Sequence, residues 1–241
     1  MRKEEHEITA VVIGASGGIG KAFVENLSEM KKVKTVYALS RTETIFENDK
    51  IKPYKIDITN EVSVEEAADF CGTGIDIVIV ASGMLNNGGG LPEKSLRDID
   101  LSAMQECFNV NTLGPALVAK HFIPRLTKDK KSIFTCLSAR VGSVSDNEIG
   151  GWYSYRASKA ALNMIIKTAA IETSRRYKDA IIVGLHPGTV DTALSRPFQS
   201  NVKHEIFSPE KAAGYLLEVL ENLKSEDSGK CFDWAGKEIV P

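Results

Sequence analysis

Tyr155 and Lys159 stand four residues apart in a stretch of helix-forming Ala, Ser and Leu, so both side chains project from one face of a helix. A phenol beside an ammonium is an acid–base device, because a nearby positive charge favours the phenolate and lowers the ordinary tyrosine pKa of about 10. Six Tyr and 21 Lys in 241 residues give about 0.5 such pairs by chance. The pair therefore takes its meaning from the residues the fold brings to it. Ser138 closes an apolar run at 132–137, and Asn111 lies near the middle of a helical segment.

A second constellation binds rather than reacts. The apolar run 9–13 leads directly into Gly14-Ala15-Ser16-Gly17-Gly18-Ile19-Gly20, and Ile19, Ala22, Phe23, Asn26, Leu27 and Met30 then mark one side of a helix. In a strand, glycine turn, helix arrangement the glycines permit φ > 0 and close backbone approach, and the helix start offers free N–H groups to a phosphate. After the next apolar run, 33–39, comes Ser40-Arg41-Thr42. In a dinucleotide fold an acid here would hold the adenosine ribose, whereas a basic residue accepts a 2′-phosphate. Arg41, planar and permanently charged, points to NADP, with NAD as the alternative.

The elements that position these residues alternate. Strands are expected at 9–13, 33–39, 51–56, 75–80, 132–137, 180–185 and 230–234. A helix at 61–71 is capped by Thr59 or Asn60, and 101–127 reads as one long helix bent by Gly114-Pro115 and Pro124. In the helix of Tyr155, residues Ala157, Ala160, Ala161, Met164, Ile165 and Ala169 make a packed stripe, suited to close approach of another helix. Ser208-Pro209-Glu210 starts the last helix, which buries Ala212, Leu216, Val219, Leu220 and Leu223. The glycine-rich loop 86–90 reads as mobile surface. No linker or repeat divides the alternation, which predicts a single α/β domain over 1–241: a doubly wound, Rossmann-type parallel sheet of about seven strands with helices on both faces.

Composition narrows the function classes. With 43% apolar and 26% charged residues, net charge −2 and pI near 6.1, the chain is globular and has no general attraction to nucleic acid or anionic lipid. The four Cys and four His are scattered, without metal-ligand spacing. The N-terminus has no secretory pattern and no run approaches a membrane span, so the expected location is the cytoplasm.

At this point the sequence resembles the short-chain dehydrogenase/reductase family over nearly its whole length. Gly14, Gly18 and Gly20 match its glycine motif, Asn111 its Asn-x-x-Gly helix, Ser138 its catalytic serine, Tyr155 and Lys159 its YxxxK signature, and Pro187-Gly188 its turn beside the nicotinamide. The stretch 138–163 and the C-terminal residues 232–239 look most like the C-factor-like, cell–cell signalling branch. Three features depart from the pattern: Ile13 replaces a usual Thr, Val80-Ala81-Ser82-Gly83 replaces Asn-Asn-Ala-Gly, and the interval from Ser138 to Tyr155 is longer than usual.

The resemblance implies hydride transfer between NADP(H) and a carbonyl or alcohol carbon of a small molecule. It makes Tyr155 the general acid/base, Ser138 its partner on the substrate oxygen, Lys159 the activator that lowers the tyrosine pKa and holds the ribose, and Asn111 the holder of a relaying water. It further implies that Gly14, Ser16, Gly18, Ile19, Gly20, Arg41, Asp57, Ile58, Ala81, Ser82, Gly83, Pro187, Gly188 and Val190 line the cofactor, with Tyr155 and Lys159. Substrate loops are expected at 85–91, 141–152 and 193–207, where Trp152 and Phe198 suggest an apolar component, and a homodimer or homotetramer is expected. Competing readings are epimerisation or dehydration of a nucleotide sugar, and a nucleotide-sensing or signalling protein that binds without turnover.

Overall fold

The computed structural model describes residues 6–42, 44–85, 91–201 and 204–240. Seven parallel strands form one sheet in the order β3-β2-β1-β4-β5-β6-β7. They are β1 (Ile8–Ile13), β2 (Val33–Ser40), β3 (Ile51–Lys55), β4 (Ile77–Val80), β5 (Ser132–Leu137), β6 (Ala180–His186) and β7 (Cys231–Asp233). The six α-helices among the described residues are α1 (Gly18–Glu29), α2 (Glu61–Cys71), α3 (Leu101–Phe108), α4 (Gly114–Phe122), α5 (Tyr153–Ser174) and α6 (Pro209–Asn222). The strand order reverses between β1 and β4, and the crevice at the carboxyl ends of those two strands is where such a sheet receives a ligand.

Alternation along the central strands creates two cores. Ala10 and Val12 of β1 face α1 and α6, with Phe23, Leu27, Leu216 and Leu220 in one cluster. Val11 and Ile13 face α2, α4 and α5, with Val64, Phe122, Leu162 and Ile166 in the other. Strands covered on both faces need continuous apolar runs, which explains why β4 and β5 read that way. The exception is β3, where Pro53 is accommodated because the strand lies at the sheet edge. Asn60, rather than Thr59, caps α2 by accepting from Val62 N and Ser63 N.

The long helix expected over 101–127 is divided. A π-helical turn, Asn109–Leu113, separates α3 from α4, and a 3₁₀ turn, Ile123–Arg125, ends the run. The wide turn comes before Gly114-Pro115, so the proline starts α4 instead of kinking a continuous helix. In α5 the Ala and Met stripe is not the buried face: Met164 is 66% exposed, while Ser158, Leu162, Ile166 and Ala170 pack inward. Ile75 lies outside β4, in an isolated bridge to Leu126. Loop 86–90 lies outside the described residues.

Candidate active site

The glycine turn is built against the end of β4. Gly14 has φ +89°, and a Cβ there would lie 2.7 Å from Ser82 N; at Gly20 it would lie 2.1 Å from Gly14 O. Neither position admits a side chain. The start of α1 has no side-chain cap and no acidic residue in its first turn, leaving its N–H groups and positive dipole end to an anion. Thr192, beyond the Pro187-Gly188 turn, comes over Gly18: a Cβ on Gly18 would lie 3.0 Å from Thr192 Cγ2. Ser82 Oγ is buried without a hydrogen-bond partner among the described residues. A backbone cradle with free amides and an orphaned hydroxyl fits a dinucleotide pyrophosphate and its adjoining sugar.

Arg41 is exposed at the carboxyl end of β2. Its charge reaches Asp57, whose carboxyl is held below the usual range mainly by Thr59's hydroxyl and amide, with Arg41 contributing. Ile58 buries its side chain against Gly114, so only its backbone can meet a ligand. Val190 is likewise buried, packed with Phe207 and Ala212. Ser16 is exposed at the turn, and Ile19 is half-buried against the first core.

At the other end of the crevice, α5 presents Tyr155 and Lys159. Lys159 Nζ lies 5.7 Å from the Tyr155 ring centre and donates to Leu137 O at 2.7 Å, beside Ser138. Cys107, Cys136 and Cys231 stand near enough to act on its charge, but burial dominates and pushes its pKa down to about 8. The same burial keeps these thiols protonated, Cys136 and Cys231 being pushed up to about 12. Tyr155 reverses the expected direction: burial, helped by the Cys107 thiol, raises its pKa above the usual phenol value. Lys159 adjoins the ring, yet desolvation of the phenolate outweighs it.

Asn111 sits fully buried in the π turn. Its Oδ1 accepts from Met84 N at 2.8 Å, and its Nδ2 lies 2.7 Å from Met84 O, 3.1 Å from Ser158 Oγ and 3.2 Å from Cys107 Sγ. The side chain is thus a strut between the loop after β4 and α5. Gly83 keeps the adjoining space open: a Cβ there would lie 3.7 Å from Asn111 Oδ1 and 3.8 Å from Lys159 Nζ.

Two residues missed by sequence reasoning complete the arrangement. Ser138 donates to Asn163 Oδ1 at 2.6 Å, and Asn163 Nδ2 donates to Gly142 O at 3.4 Å. Asn163 follows Lys159 by one helical turn, a spacing that could have flagged it. Glu93 takes the amide and hydroxyl of Ser154 in the first turn of α5, and no local pattern pairs positions 61 residues apart. The Pro187-Gly188 turn follows β6, whose Leu185 O accepts from Ser138 N at 2.7 Å, and Gly188 (φ +76°) lies against Phe207 and Trp234.

The sequence profile described as short chain dehydrogenase matches residues 8–203. The C-signal protein of Myxococcus xanthus is 34% identical over 175 residues, covering 72% of this chain and 96% of that protein. The 1-hydroxy-2-glutathionyl-2-methyl-3-butene dehydrogenase of a Rhodococcus species is 32% identical over 227 residues, covering 92% and 94%. Among solved structures, the NADPH-bound carbonyl reductase from chicken fatty liver has a TM-score of 0.84 at 24% identity, covering 99% and 96%. At that identity the likeness concerns the fold.

Proposed function

The chain belongs to the short chain dehydrogenase family, a family of oxidoreductases, and on that premise we propose that it interconverts a carbonyl and an alcohol carbon of a small molecule with NADP(H). The observation that carries this reading is the Tyr155–Lys159 pair at the end of β5, the lysine buried and the tyrosine half-buried, within the sheet crevice that also holds the glycine cradle. The NADP(H)-bound solved structures of this fold support the choice of cofactor, and so does Arg41 in place of an acid after β2.

When bound, the nicotinamide supplies or accepts the hydride. The rest belongs to the protein. Gly14, Gly18 and Gly20 with the amides of Ser16 and Ile19 hold the pyrophosphate, Ala81, Ser82 and Gly83 border the adjoining sugar, Arg41 takes the 2′-phosphate, Asp57 and Ile58 flank the adenine, and Pro187, Gly188 and Val190 border the nicotinamide. Tyr155 donates a proton to the carbonyl oxygen, and Ser138 hydrogen-bonds the same atom. With its pKa raised above the usual phenol value, the phenol is in the protonated form that reduction requires at neutral pH. Lys159, with a pKa near 8, can return the proton to it. Asn111 fixes the wall of the space from which that proton comes.

A second reading, nucleotide binding for signalling without turnover, is favoured by the similarity to the C-signal protein. Binding alone, however, requires neither Ser138 nor Tyr155. Loss of NADPH absorbance with a panel of carbonyl compounds decides between the two. Tyr155→Phe should abolish turnover, a loss of at least about 10²-fold, with NADPH affinity nearly unchanged. Unaltered turnover would remove Tyr155 from the mechanism.

A further inference from the structure

Just before α5 the backbone turns left-handed at three successive residues, Gly150 (φ 70°), Gly151 (φ 65°) and Trp152 (φ 52°). Glycine adopts this conformation freely, but a bulky side chain does so only where its surroundings enforce it. Trp152 is the only non-glycine residue with positive φ among the described residues. Three bonds enforce the turn: Trp152 N donates to Glu93 O at 2.6 Å, Trp152 O accepts from Arg156 N at 2.9 Å, and the Glu93 carboxylate holds Ser154.

The strain places an indole beside the reacting group. Trp152 meets the Tyr155 ring at 6.2 Å and 67°, and the Phe198 ring at 5.3 Å and 62°. Neither contact is a parallel stack, and neither Trp152 nor Phe198 joins the buried clusters of the described residues. Core packing therefore does not account for the turn. Arg156 Nε is engaged by Gly151 O at 3.1 Å, and the two rings offer their faces and edges to a flat apolar group.

Resting on the oxidoreductase reading, we propose that Trp152 and Phe198 form a subsite for an aromatic ring attached directly to the reacting carbonyl carbon, stacked against the indole while the carbonyl oxygen meets Tyr155. Trp152 is then a specificity-determining residue.

The test compares acetophenone with cyclohexyl methyl ketone, which match in carbon count, as oxidants of NADPH by the full chain. Conjugation makes acetophenone the intrinsically slower hydride acceptor, so a preference for it comes from the protein. The wild type should favour acetophenone in kcat/KM by about tenfold or more. Trp152→Gly suits the left-handed backbone, so its melting temperature should equal or exceed that of the wild type while the preference falls to about one. Trp152→Phe should retain the preference. Equal efficiencies in the wild type, or a wild-type ratio in Trp152→Gly, overturn the subsite and leave the oxidoreductase reading standing. No NADPH oxidation with either ketone or with the wider carbonyl panel overturns both.

Discussion

At the scale of single residues, the site is governed by desolvation. The Tyr155 phenol and the Lys159 ammonium are desolvated among neutral groups, protonated thiols, the Asn111 amide, the Ser158 hydroxyl and a main-chain carbonyl, so each shifts towards its neutral form. The hydroxyl of Ser138 is parked on Asn163 at 2.6 Å. Removing that acceptor in Asn163→Ala leaves the hydroxyl free to rotate. One hydrogen bond of this kind is worth about 1 kcal/mol, so kcat should fall roughly fivefold. The dissociation constant of NADPH should stay constant, because the hydrogen bonds of the Asn163 side chain go to Ser138 and Gly142 and not to the glycine cradle. A kcat equal to that of the wild type would show that Ser138 needs no positioning. Tyr155, Lys159 and Ser138 could be singled out because their types and spacing suit a proton transfer, and the structure brings the three together at the end of β5. The direction of the Tyr155 pKa shift was not, because burial is a property of the packed chain and not of the i to i+4 pair.

At the scale of elements, helix ends depend on distant residues. Lys50 Nζ donates to Ser28 O and Met30 O at the end of α1, and Lys131 Nζ donates to Leu220 O, Glu221 O and Leu223 O at the end of α6. Helix α5 has no cap from its own N-cap residue, Trp152, and borrows Glu93. Glu93→Ala should therefore cost about 1 kcal/mol in urea unfolding and speed amide hydrogen exchange at Ser154. Lys131→Ala should loosen only the last turn of α6. If exchange at Ser154 is unaltered in Glu93→Ala, the helix has another cap. Strand and helix identities were readable from the apolar patterns, since those report burial directly. The π turn at Asn109–Leu113 left no such mark, because one wide turn changes the helical period too little to disturb the pattern of Cys107, Asn111 and Val118.

At the scale of the whole molecule, Lys159 makes stability depend on pH. Its folded pKa of about 8 lies below the unfolded value of 10.5, so between these limits the unfolded chain holds a proton that the folded chain does not. Stability must therefore rise with pH across that window. The cost, about 3 kcal/mol, is fully present below pH 8 and vanishes above the unfolded value. Lys159→Met, which removes the charge and keeps the length, should be more stable than the wild type at pH 7 and show a much smaller advantage at pH 10. A gap that does not change with pH would mean that the ammonium is adequately solvated in the fold. The glycine cradle carries a consequence for biosynthesis. Gly14 closes on Ala81 and Ser82, at the junction where β1 meets β4, so its geometry is complete only when both halves of the sheet have joined. A nascent chain that has emerged only through β3 lacks β4, the strand that covers the other edge of β1. Capture of a nucleotide by the cradle would therefore report that the polypeptide has extended past Ser82, about a third of its length.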